Sequence, residues 1–87
     1  MTTMTGRPVP EDALAQRILN EHDPAGSRVV EQGVVAVNAR VVWEHDGEQL
    51  LPATALRWSE CAVYVRWLDP RNPVGGVWLP PRDVREM

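Results

Sequence analysis

The sequence predicts a mainly β (α+β) domain: an N-terminal helix followed by a small barrel of four to five antiparallel strands, built from two similar hairpin units. Three observations carry this reading. The apolar period is helical up to residue 22 and becomes two after Val29. Turn chemistry (Asp46-Gly47, then DPRNPVGG) separates short alternating runs. Finally, WLPPRDVRE (78–86) nearly restates LLPATALRW (50–58): Leu-Pro, three variable residues, an aliphatic side chain and Arg.

Residues 1–9, MTTMTGRPV, are small and polar and read as a flexible arm. Residues 10–22 read as the helix. Pro10 suits a first turn, and Glu11 and Asp12 complement the positive helix end. Leu14, Ala15, Ile18 and Leu19 form an apolar stripe. Asp23-Pro24 and Gly26 then end it. In VVAVNARVVWEH, Val35, Val37, Ala39, Val41 and Trp43 share one parity, while Asn38, Arg40 and Glu44 share the other, which predicts a half-buried strand. Asp46-Gly47 predicts a tight turn, because Gly accepts the positive φ such turns require. A strand over Glu48–Leu51 follows, with Pro52 marking its end or an edge, since Pro cannot donate to a ladder. CAVYVRWL alternates again, placing Cys61, Val63, Val65 and Trp67 inside and Tyr64 and Arg66 outside. The last strand lies near Val77–Leu79. In the repeat, Trp43 matches Trp67, Leu51 matches Leu79, Leu56 matches Val84 and Arg57 matches Arg85. A lone hairpin cannot hide its apolar face, so two hairpins packed together, with both Trp side chains inside, explain why the phrase occurs twice. Residues 10–87 then form one domain, with the barrel over 29–87.

The alternation in 35–43 and 61–67 and the LPATAL and LPPRDV crossovers resemble the Src-homology-type and Tudor-like small barrels, over residues 29–87. That resemblance implies an architecture and no activity. The all-Arg cation set and the Ala, Gly, Pro, Val and Trp usage resemble small uncharacterised proteins of actinobacteria and their phages.

Bulk properties narrow the function classes. No apolar run approaches the ~20 residues of a membrane span, so no membrane partner is expected. The single Cys61 cannot form an internal disulfide, which makes a cytoplasmic location the default. Net charge is −3, and residues 51–87 hold four acidic side chains against five Arg. That basic balance is slight beside the concentrated basic face of most nucleic-acid binders. His22-Asp23 and His45-Asp46 each pair a base with a carboxylate, but neighbours on a strand point to opposite faces. There is no metal-ligand spacing, phosphate loop or nucleophile elbow. No catalytic residue, metal or cofactor is assigned.

The aromatic residues are the stronger signal. Tyr64 shares its face with Arg66, Trp78 is out of phase with the core residue Leu79, and Trp58 follows a crossover. Exposed Trp and Tyr beside Arg is a composition favoured in binding hot spots. Tyr64, Arg66, Trp78 and Trp58 are therefore the candidate binding residues of a non-catalytic protein-interaction module, provided the helix does not cover that face. The alternative partner is nucleic acid, held by Arg57, Arg66, Arg71, Arg82 and Arg85 with stacking aromatics.

Overall fold

A computed structural model describes residues 14–87, so the arm at 1–9 and the start of the expected helix lie outside the described residues. The described chain is one antiparallel sheet of five strands: β1 (Val30–Trp43), β2 (Gly47–Trp58), β3 (Val63–Arg66), β4 (Gly76–Leu79) and β5 (Val84–Glu86). Their order in the sheet is β4-β3-β2-β1-β5. β4 and β5 do not pair with each other, so the sheet is not closed into a barrel, and the expected barrel is corrected on that point.

The period-two reading of β1 holds. Val37, Ala39, Val41 and Trp43 are all buried, and Val35 packs against the same core. Across from them stand Leu51 and Ala55 of β2, Val63 and Val65 of β3, Val77 and Leu79 of β4 and Val84 of β5. The turn at residues 44–46 returns the chain through Gly47, whose φ of 78° a side chain would oppose. β2 does not stop at Pro52 but runs on to Trp58. Pro52 is tolerated because β3 pairs with β2 only from Thr54 to Trp58, which leaves the outer side of Pro52 at an edge.

The helix expected over 10–22 is absent from the part described. Residues 15–22 form an irregular strap, extended enough to make a single bridge between Ile18 and Trp43. Two effects defeat the helix. A helix this short is marginal alone, and only Ile18 of its apolar stripe packs on the core, while Leu14 and Leu19 stay exposed. Against it stands the unpaired edge of β1, which the strap satisfies. Leu19 N–H donates to the Val42 carbonyl (2.7 Å) and Glu44 N–H to the Arg17 carbonyl (2.9 Å). Asn20 serves β1 with its side chain, accepting from Val42 N–H (2.9 Å) and donating to the Arg40 carbonyl (2.9 Å). On its other side the strap reaches β4, where His22 N–H donates to the Trp78 carbonyl (2.9 Å). The strap thus spans the gap that the open sheet leaves between β1 and β4.

The strap turns into β1 at Asp23–Ser27. The Asp23 carboxylate accepts from Ala25 N–H (2.6 Å), and Ser27 N–H donates to the Pro24 carbonyl (3.0 Å). This holds Ala25 at φ 56°.

The two similar phrases do not fold alike, which corrects the paired-hairpin account. LPATALR continues a strand, whereas in LPPRDVR the Leu79-Pro80 step ends β4, Pro81–Asp83 form a 3-10 turn, and Val84 begins β5. The matched side chains keep only part of their equivalence. Leu51 and Leu79 are both buried, and Trp43 and Trp67 meet edge to face with centroids 6.2 Å apart. Arg57 is half-buried on a strand, while Arg85 is exposed. Cys61 is also corrected: it lies half-buried in the turn between β2 and β3 instead of on the core face of a strand.

Candidate functional site

The register of the sheet assembles a row of side chains across four strands on the outer face. Trp78 of β4 pairs with Tyr64 of β3, Tyr64 with Arg57 of β2, and Arg57 with Glu31 of β1. Each step is also a contact. The Tyr64 and Trp78 rings lie 5.3 Å apart, tilted by 56°. The Arg57 guanidinium sits 5.2 Å over the Tyr64 ring, and its Nε lies 3.5 Å from Glu31 Oε2. Aromatic pairs in this geometry and a cation over a ring are both attractive.

Two local features orient the row. A β-bulge between Ala55 and Arg57 places Leu56 as an extra residue, so Arg57 faces outward beside Tyr64 and Trp58 turns inward opposite Val63. Gly76 makes the second. A Cβ there would lie 2.5 Å from Tyr64 Cζ, so the Tyr64 ring lies across the bare backbone of β4, diagonal to its partner Trp78. Both rings are half-buried. The strap runs past this face without sealing it, leaving a hollow lined by Glu21, Asp23, Pro24 and Trp78.

The four candidate residues therefore separate. Tyr64 and Trp78 belong together. Arg66 is on the same face and exposed, two residues along β3 from Tyr64, with its guanidinium beside Gly75. Trp58 does not join them: it packs against the core, and its indole N–H is buried without a hydrogen-bond partner among the described residues. Arg57 and Glu31 complete the row in place of Trp58. Nothing in the residue types of ATALRW announces the bulge that turns Arg57 outward.

A second cluster has the polar density of a site but is internally consumed. The Arg71 guanidinium lies 4.1 Å over the Trp43 ring. It donates to both oxygens of Asp69 (2.9 and 2.7 Å), to Asp46 Oδ2 (3.0 Å) and to Gln49 Oε1 (2.9 Å). The Trp43 indole N–H donates to the same Gln49 oxygen (3.1 Å) and the Trp67 indole to Asp69 (3.4 Å). Arg71 holds the Asp69 carboxyl below its ordinary range. Asp46 is lowered too, first by hydrogen bonding with Gln16 and then by Arg71, and Arg71 is raised in turn, chiefly by Asp69. This cluster clamps the loop 67–75 over Trp43 and commits four of the five Arg71 N–H donors within it.

Among the described residues no group of His, Cys, Asp and Glu has the arrangement of a metal site, and no helix is long and apolar enough to cross a membrane. Comparison with known protein families, with curated proteins and with solved structures gives no match.

Proposed function

We propose that this chain is a small non-catalytic binding module that docks a protein partner on its outer face, through Trp78 and Tyr64 with Arg57 and Arg66 beside them. The observation that supports this most is the Tyr64–Trp78 pair. Two large aromatic side chains are held in one orientation by Gly76 and Arg57, yet are only half-covered. Pre-ordered aromatic surface of this kind loses little side-chain entropy on binding, which is why Trp, Tyr and Arg dominate interface hot spots.

Nucleic-acid binding is the weaker reading. Of the Arg residues it would use, Arg71 has four of its five N–H donors taken by Asp69, Asp46 and Gln49, and Arg57 is shared with Glu31. The two readings part in their response to salt. Binding anchored on Trp78 and Tyr64 should change little when salt rises from about 50 to about 200 mM, whereas phosphate contacts would weaken steeply with log salt. Titration of material captured from a cell extract at the two salt concentrations, assayed for protein and for nucleic acid, distinguishes them. Captured nucleic acid that falls away with salt overturns the protein-binding reading.

A further inference from the structure

We propose that the hollow between the strap and β4 receives an arginine side chain of the partner, stacked on Trp78 and paired with Glu21 and Asp23. This names the partner's chemistry at the outer face and rests on the docking reading. The chain already builds such a seat twice from its own residues. The Arg57 guanidinium lies 5.2 Å over the Tyr64 ring, with its Nε 3.5 Å from Glu31 Oε2. The Arg71 guanidinium lies 4.1 Å over the Trp43 ring, 2.7 Å from Asp69 and 3.0 Å from Asp46. In both, one guanidinium is flanked by an aromatic face and carboxylate oxygens. The planar cation serves both at once, its face stacking on the ring while its edge donates.

Trp78, Glu21 and Asp23 repeat the set without its cation. All three line one hollow of about 550 Å3, with Pro24 beside them. His22, between the two acidic residues, donates its N–H to the Trp78 carbonyl (2.9 Å), which fixes that part of the strap against Trp78 itself. Ala25 N–H takes Oδ1 of Asp23 (2.6 Å) and leaves Oδ2. Neither acidic side chain has an ion-pair partner among the described residues. Tyr64 packs on Trp78 from β3, and the hollow lies on the strap side. Charge complementarity decides the occupant. A carboxylate entering the hollow would meet two others, and an apolar side chain would strip water from them without return. Lysine fits less well, because its ammonium is a point charge that cannot stack flat. One such contact leaves binding far less sensitive to salt than a run of phosphates does.

Titration of the full chain with the acetylated, amidated tripeptide Gly-Arg-Gly, followed by the indole N–H resonances, tests this. The Trp78 resonance, assigned by its loss in Trp78→Phe, should shift saturably with a Kd on the order of 1–10 mM. The same peptide with citrulline in place of arginine keeps the shape and removes the charge, and should bind roughly fivefold more weakly or worse. Glu21→Gln/Asp23→Asn should weaken binding of the arginine peptide to the same degree. Both changes are isosteric, and Asp23→Asn retains an oxygen for Ala25 N–H, so amide spectra should show the variant folded; the citrulline arm needs no variant at all. No shift of the Trp78 resonance up to roughly 50 mM peptide, equal binding of the citrulline peptide, or equal binding by the charge variant would each overturn the proposal. Capture from a cell extract separates it from the docking reading. If Glu21→Gln/Asp23→Asn retains a partner that Tyr64→Ala/Trp78→Ala loses, docking stands and the arginine seat falls. Loss of that partner by both variants supports the seat.

Discussion

Individual side chains in this domain do unequal work, and Trp43 does the most. It is fully buried, meets Trp67 edge to face, carries Arg71 on its ring and donates to Gln49. Trp43→Ala should cost about 3–5 kcal/mol, as truncation of a buried aromatic does. Trp67→Ala should cost clearly less, because Trp67 is only partly buried. Thermal melts of the two variants check the order, and equal losses would contradict it. Trp58 makes the opposite case. A buried donor without an acceptor costs about 1–3 kcal/mol, so Trp58→Phe, which keeps a ring and removes the N–H, should be neutral or stabilising in the same melts. A loss of more than about 2 kcal/mol would mean that the indole N–H does have a partner.

At the scale of elements, the strap and the clamp hold an open sheet together. Asn20 is the strap's strongest link, since besides serving Arg40 and Val42 of β1 its amide donates to the buried Asp83 carboxylate (3.0 Å). Asn20→Ala leaves that carboxylate with Arg40 alone and should destabilise by about 1–3 kcal/mol, with amide exchange rising first along Arg40–Glu44. Denaturant melts and hydrogen exchange report both effects. The clamp makes stability depend on acid. Asp69 and Asp46 have folded pKa values below their ordinary 3.8. Their contribution is therefore complete above that value and is lost as pH falls through the lower folded values. Asp69→Asn should flatten the fall in stability below about pH 4, measured by urea melts at stepped pH, while an unchanged slope would remove Asp69 from the clamp.

These elements also mark how far residues alone can be read. The parity of Val35–Trp43 identified the inner face of β1, because burial on one side of a pleated strand leaves a period-two record. The N-terminal segment misled because Leu14, Ile18 and Leu19 carry a helical period, while the competitor, the open edge of β1 at Arg40–Glu44, lies far along the chain. Leu-Pro occurs twice with different outcomes for a similar reason: strand β1 lies beside Pro52, whereas Pro80 stands where β4 runs out. Parity placed Tyr64 and Trp78 on the outer face together, but it gave no such placement for Arg57, since a bulge reverses parity without a residue-type signature.

At the scale of the whole molecule, the sheet divides into an inner face that stabilises the fold and an outer face proposed to dock the partner. Side chains on the outer face contribute through cross-strand pairs worth about 0.2–1 kcal/mol each, so the domain should fold without Tyr64 and Trp78. The most direct measurement is a comparison of the wild type with the Tyr64→Ala/Trp78→Ala variant, recording melts and the protein captured from the same extract. The account predicts a variant that remains folded, melts only modestly lower, and loses the partner that the wild type retains. A variant that captures the same protein as well as the wild type, or that is unfolded at room temperature, would contradict it.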